Sequence, residues 1–190
     1  MNEQNHSGSG DNINAARDIF IDSIPRIASD LTAVVNVLSK KLFDNITTKQ
    51  EGPTSSFNID TKIQHNDIVR FKVIIDNYKS FVGKLYTIYK EFDKMGTNKT
   101  YIVLENIKLT YLKEKSILLH KNQGLEEIDV IRNSADDLVE AVEANLLNEI
   151  RRSSNIESSV EFINLSLQVV LIDAFIRCKI LEEPPKDVIT

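Results

Sequence analysis

Residues 160–181, VEFINLSLQVVLIDAFIRCKIL, decide the fold, because a helix built from them carries apolar side chains on every side. Such a helix must be surrounded by protein or by lipid. The stretch also contains four charged residues, Glu161, Asp173, Arg177 and Lys179. Each charge would cost about 2.5–3.5 kcal/mol in the middle of a bilayer. We therefore expect a central core helix rather than a membrane span.

Asp173 and Arg177 stand four residues apart in this stretch, the spacing at which side chains meet on one face of a helix. A carboxylate in an apolar helix needs a partner, so we interpret the two residues as a structural ion pair rather than as a catalytic site. Asp173→Ala is then predicted to destabilise more than the Asp173→Ala, Arg177→Leu double change, because the single change strands a buried cation.

The length of 190 residues fits one domain with a sizeable core. Cys178 is the only cysteine, so an internal disulfide is impossible, and its apolar surroundings predict a small buried hydrophobe. The opening MNEQNHSGSG has neither a basic start nor an apolar run. We therefore expect a protein of the cytoplasm.

The net charge of −5 disfavours a nucleic-acid-binding surface over the whole molecule. A local basic patch is still compatible with this charge balance, and its candidate members are Lys108, Lys113, Lys115 and Lys121. Because these lysines fall on one predicted helix, we interpret them as a solvated helix face.

Residues 1–22 are predicted to form a flexible or strand-forming leader, followed by a helical bundle domain over residues 23–190. Apolar residues of the leader fall on odd positions, the period of a strand, at Ile13, Ala15, Ile19 and Ile21. A single strand in water lacks backbone partners. We therefore predict self-association through backbone hydrogen bonds of Asp18, Ile19, Phe20 and Ile21.

The helical domain is predicted to be an all-α bundle of about five helices. Apolar periodicity places them at residues 23–43, 66–95, 99–120 and 125–152, and from Ser154 or Asn155 to about residue 181. Residues 44–59 are predicted to form a loop. The second helix has heptads at Phe71, Ile75, Tyr78, Val82, Leu85, Tyr89 and Phe92.

Sequence motifs for catalysis are missing from the chain. The three histidines, His6, His65 and His120, lie far apart and none has a metal-ligand spacing to a cysteine or an acid. There is no GxSxG turn, and GSGDN in the leader lacks the ending of a phosphate-binding loop. We predict no catalytic, cofactor-binding or metal-binding residue and no cofactor.

A resemblance to a known family rests on three segments, KIQHNDIVRFKVIIDNYKSFVGKLYTIYKEFDKMG, YIVLENIKLTYLKEK and VVLIDAFIRCKILEEPP. They resemble the helical C-terminal domain of effectors of bacterial ABC-three-component conflict systems, a group that includes the Lamassu-like antiphage systems. The most specific pieces are residues 62–66 with Tyr78, residues 173–175 and residues 178–182.

The resemblance implies protein partners: an effector domain, often a nuclease or protease, a small middle component and an ABC-type ATPase. No effector domain precedes the helical region in this sequence, so any catalytic residues are expected outside it.

Two functions follow as hypotheses. The first is a non-catalytic interaction or oligomerisation domain that couples an antiphage or anti-plasmid effector to its ABC ATPase and middle component. The second is a small standalone helical toxin or hydrolase with a site near Asp173, Arg177 and the tyrosines at 86, 89 and 101.

Overall fold

The computed structural model describes residues 27–42 and 58–185, and these residues fold into a helical bundle. Its helices are α1 (Asp30–Lys41), α2 (Ile59–His65), α3 (Arg70–Tyr78), a 3₁₀ turn (Lys79–Phe81), α4 (Val82–Lys94), α5 (Lys99–Lys121), α6 (Glu127–Asn133), α7 (Ala135–Arg152) and α8 (Val160–Ile176). Neither described range contains a strand. The all-α class is confirmed, and the predicted leader over residues 1–22 lies outside the described residues.

Helix α8 is the centre of the bundle. Every residue from Val169 to Ile176 is buried, whichever side of the helix it occupies. The helix packs against α1, α3, α4, α5 and α7. The prediction of a central C-terminal core helix is confirmed. Along the two described ranges, every helix is too short or too polar to cross a membrane.

The end of α8 comes earlier than predicted, at Ile176. The Cys178 amide donates to the Phe175 carbonyl at 3.1 Å, and the Lys179 amide donates to the Ala174 carbonyl at 2.8 Å. With Cys178 left-handed at φ 54°, these two bonds form a Schellman motif, which ends a helix. Cys178 is therefore a half-buried residue of the turn, and its predicted place inside the helix was wrong.

The bundle contains more helices than the five that were predicted. Residues 59–65 form α2, which was not predicted, because the predicted loop ended at residue 59 and the next predicted helix began at residue 66. The predicted helix over residues 66–95 is divided between α3, the 3₁₀ turn and α4. The predicted helix over residues 125–152 is divided at Ser134. The heptad residues are nevertheless core residues, since all are buried except the half-buried Tyr78. Periodicity identified the buried face correctly but did not detect the breaks.

Helix α1 begins at Asp30, seven residues after the start of the predicted helix. The Ser29 hydroxyl caps it by accepting from the Thr32 amide at 3.4 Å. The residues before α1 bond to the connection between α7 and α8, where the Ser154 amide donates to the Ile27 carbonyl at 3.1 Å. Ser154 therefore does not cap α8, whose N-cap position is Ser159.

Asp136 of α7 caps α3 from another part of the chain. One carboxylate oxygen accepts from the amides of Val69 and Arg70 at 3.0 Å each, and the other accepts from the Phe71 amide at 2.8 Å. Burial raises the pKa of Asp136, but these backbone hydrogen bonds outweigh burial and leave that pKa lowered. These contacts depend on the packing of α7 beside α3 and leave no signal in the local sequence around Asp136.

Asp136→Ala is expected to lower the free energy of unfolding by about 2 kcal/mol, because three amides lose a charged acceptor. Since the pKa of Asp136 is lowered in the folded protein, its contribution is present above the ordinary value of 3.8 and disappears as the pH falls. Urea unfolding at pH 7 and at about pH 2, below the ordinary value, measures both effects. Asp137→Ala is the matched control, because Asp137 is exposed and, among the described residues, forms a salt bridge only with the exposed Arg70. Equal losses for the two variants would contradict the role assigned to Asp136.

Candidate functional site

Asp18, Ile19, Phe20 and Ile21, the predicted self-association residues, lie outside the described residues. Pairing between copies through them stays a prediction.

Asp173 and Arg177 form an ion pair on α8. The Arg177 Nε atom lies 2.9 Å from both carboxylate oxygens of Asp173. Two side chains of α4 complete the surroundings, because the Arg177 guanidinium lies 5.9 Å from the ring centre of Tyr86 and 5.8 Å from that of Tyr89. The structure thus brings together four of the five residues of the predicted alternative site. Tyr101 lies elsewhere, with the Lys179 ammonium 5.8 Å from its ring centre.

The two partners of this pair differ in burial. The Asp173 side chain is 1% exposed, whereas the Arg177 side chain is 25% exposed. Burial raises the pKa of Asp173, and the Arg177 charge opposes that rise only in part. Burial and the charge of Asp173 also raise the pKa of the Tyr89 hydroxyl far above its usual value. Both groups are therefore enclosed, and Asp173 has almost no surface at which a substrate could reach it.

Lys62 of α2 is a buried cation at the end of α8. Its Nζ atom donates to the Phe175 carbonyl at 2.6 Å and to the Ile180 carbonyl at 2.9 Å, and lies 4.4 Å from the centre of the Phe175 ring. The lysine thus adds a charged donor to the Phe175 carbonyl, which already accepts from the Cys178 amide, and supplies a donor to the Ile180 carbonyl beyond the end of α8. Burial lowers the pKa of Lys62 from 10.5 to about 8.

Asn66 joins α2 to the chain after α8. Its side-chain amide donates to the Glu182 carbonyl at 2.9 Å, and its side-chain oxygen accepts from the Glu182 amide at 2.8 Å. The Glu182 carboxylate accepts from the Tyr111 hydroxyl and the Lys115 ammonium, each at 2.8 Å. Burial raises the pKa of Glu182, but these two donors outweigh it and leave that pKa lowered. We call Lys62, Asn66, Tyr111, Lys115 and Glu182 the polar junction.

The polar junction connects two of the most specific pieces of the family resemblance. Residues 62–66 and residues 178–182 are far apart in sequence, yet Lys62 and Asn66 bond to the turn and tail that follow α8. Sequence reasoning did not single out Lys62 or Glu182 as partners. Spacing could not have found them, because their contact depends on how α2 meets the end of α8.

Helix α5 has two apolar faces. The inner face is buried in the bundle and comprises Val103, Leu104, Ile107 and Tyr111. The opposite face carries an exposed row that we call the outer stripe, Ile102, Leu109 and Leu112, with exposed fractions of 53%, 50% and 45%. The predictions made from the sequence did not include this outer row. The spacing of seven and three residues along the outer stripe was a signal that could have identified it.

The four lysines of the predicted basic patch do not act as one group. Lys115 is largely buried and bonds to Glu127 at 2.7 Å and to Glu182 at 2.8 Å. Lys113 and Lys121 are exposed, and Lys108 is half-buried. The lysines therefore divide between the polar junction and the outside of α5.

No described group of three or more histidine, cysteine, aspartate and glutamate side chains could hold a metal ion.

A family model for C-terminal domain 10 of the ABC-three component (ABC-3C) systems matches residues 29–182. The match covers α1 to α8 and ends at Glu182 of the polar junction. Searches of curated proteins and of solved structures gave no significant match.

Proposed function

This chain belongs to the family of C-terminal domain 10 of the ABC-three-component systems, and we propose that it is a non-catalytic interaction domain. In this proposal the domain couples an antiphage or anti-plasmid effector to the ABC ATPase and the middle component of its own system, in the cytoplasm. Membership of a multi-component system supports the assignment, because such a system requires contacts between its proteins.

The observation that carries the proposal is the outer stripe of α5. A surface helix of a globular protein usually has one apolar face, which it buries against the core. Helix α5 already buries its inner face, so the stability of the bundle does not require Ile102, Leu109 or Leu112 to be apolar. Exposed apolar rows of this kind occur where proteins bind one another.

A toxin or hydrolase site near Asp173 and Arg177 is the alternative, and its geometry is unfavourable. A general acid or base must come within hydrogen-bonding distance of its substrate. The Asp173 side chain is 1% exposed and both of its oxygens accept from Arg177. In our proposal the pair and the polar junction stabilise the domain, and catalysis belongs to the effector.

Co-expression of the full chain with the ATPase and the middle component of the same system tests the proposal. We expect the chain to elute with them in size-exclusion chromatography, at a mass by light scattering that exceeds the mass of the ATPase and middle component together. An ABC ATPase from an unrelated system is the control and should not retain the chain. If the chain elutes alone while the other two components elute together, the proposal is wrong.

A further inference from the structure

The outer stripe has the spacing of a coiled-coil seam. Ile102 and Leu109 are seven residues apart, and Leu112 follows Leu109 by three, so they take positions a, a and d of one heptad register. Helix α5 has 23 residues and is therefore about 34 Å long. The apolar part of the seam runs from residue 102 to residue 112, about one and a half heptads of this length, and a partner helix can pack against it there.

Basic residues flank the seam on both sides. Lys108 takes position g and Lys113 takes position e, the positions that set the charge preference of a coiled coil. Neither lysine forms a salt bridge within the described ranges of the chain. Glu105, which takes position d of the first heptad, forms a salt bridge with Lys179 at 2.6 Å. The seam is therefore positively charged although the whole chain is negative.

A second copy of this chain does not complement the seam. Pairing of two α5 helices in parallel places Lys108 of one copy against Lys113 of the other, since position g meets position e. Antiparallel pairing places like positions together and again brings lysine against lysine. Like charges across a seam are unfavourable, so the flanking lysines select against self-association through this face.

We infer that the outer stripe of α5 is the docking site for an acidic amphipathic helix of a partner protein. The partner helix carries leucine or isoleucine at a and d, which pack against Ile102, Leu109 and Leu112, and aspartate or glutamate at e and g, opposite Lys108 and Lys113. This inference rests on the proposed interaction function and adds the chemistry of the partner surface.

Two synthetic helical peptides of about three heptads test the inference with the full chain. Both have leucine and isoleucine at a and d, and they differ only in carrying glutamate or lysine at e and g. We expect the acidic peptide to bind at least about tenfold more tightly than the basic one in fluorescence anisotropy, with an affinity that falls as salt is added. The Lys108→Glu, Lys113→Glu variant should reverse this preference. The Arg151→Glu, Arg152→Glu variant makes the same change of charge at the end of α7 and should keep it.

The same variants separate this inference from the proposed function. If Leu109→Glu and the Lys108→Glu, Lys113→Glu variant both still elute with the ATPase and middle component, and neither peptide binds, the inference is wrong and the proposed function stands. Circular dichroism confirms that each variant is folded. If the peptides bind equally well, the charge preference is contradicted. If the chain forms dimers and Leu109→Glu converts them to monomers, a second copy binds the outer stripe and the inference is wrong.

Discussion

Arg177→Leu is expected to lower the free energy of unfolding by about 3–5 kcal/mol, the cost of leaving one member of a buried ion pair without its partner. The stranded group is the Asp173 carboxylate, which is 1% exposed and has both oxygens bonded to Arg177. The prediction from the sequence was that Asp173→Ala destabilises more than the Asp173→Ala, Arg177→Leu double change, because it was expected to leave a buried cation without a partner. The structure reverses this expectation, because the Arg177 side chain is 25% exposed and can turn towards water.

The double variant Asp173→Asn, Arg177→Leu should recover most of that loss, because it removes the buried charge together with its partner. The loss caused by Arg177→Leu alone should also shrink as the pH falls from 7 towards 3.8, the ordinary pKa of aspartate. A carboxyl whose pKa is raised in the folded state is tolerated best at low pH, where it is protonated, and disfavours folding as the pH rises. Arg152→Leu is the matched control, since Arg152 is exposed at the end of α7. Equal losses for the two arginine variants would rule out a buried pair.

The contribution of Lys62 should raise the free energy of unfolding of the wild-type protein as the pH increases from about 8 to 10.5. Lys62→Met is expected to abolish this increase. Methionine keeps most of the apolar length of the side chain above the Phe175 ring but has no charge. Because the pKa of Lys62 is lowered in the folded protein, its favourable contribution is complete above 10.5 and is lost as the pH falls through about 8. Between the two ends of this pH range, the contribution of Lys62 to the free energy of unfolding changes by about 3 kcal/mol.

Urea unfolding of both proteins at intervals from pH 7 to pH 10.5 measures this difference. Tyr89 and Tyr111 also have raised pKa values and make the protein less stable at high pH. Both tyrosines are present in wild type and variant, so subtracting the two curves isolates Lys62. Lys94→Met, on the exposed side of α4, is the control and should follow the wild-type curve. A constant difference between wild type and Lys62→Met over this range would show that the buried amine does not titrate there.

The central position of α8 could be predicted because its composition leaves no polar face. A helix with apolar residues on all sides has one stable environment in a chain whose charges exclude lipid. The end of α8 could not be predicted in this way. It depends on a left-handed Cys178 and on Lys62, which reaches the Phe175 and Ile180 carbonyls from α2. Neither the left-handed conformation of Cys178 nor the hydrogen bonds of Lys62 produce a periodic pattern in the sequence.

The start of α3 shows the same limit. Asp136 belongs to α7, and only the packing of α7 beside α3 brings its carboxylate to the amides of Val69, Arg70 and Phe71. Local patterns predict which residues are apolar and periodic, but they do not predict a cap supplied from another helix. The start of α3 was missed for this reason, whereas the heptad core residues were identified correctly.

The candidate interaction surface was partly accessible from the sequence. The spacing of Ile102, Leu109 and Leu112 is visible in it, and so are the lysines at positions 108 and 113. What the sequence does not reveal is which of the two apolar faces of α5 is buried. The packing of Ile107 and Tyr111 against the bundle decides this and leaves the outer stripe exposed.

Hydroxyl-radical footprinting of the full chain, alone and in complex with the ATPase and middle component of its own system, is the most direct test of the proposed interaction role. It reports the solvent exposure of individual side chains. We predict that Ile102, Leu109 and Leu112 become several-fold less reactive in the complex, while the exposed Val73 of α3 and Leu125, just before α6, remain as reactive as before. An outer stripe that is equally reactive in both states would contradict the account.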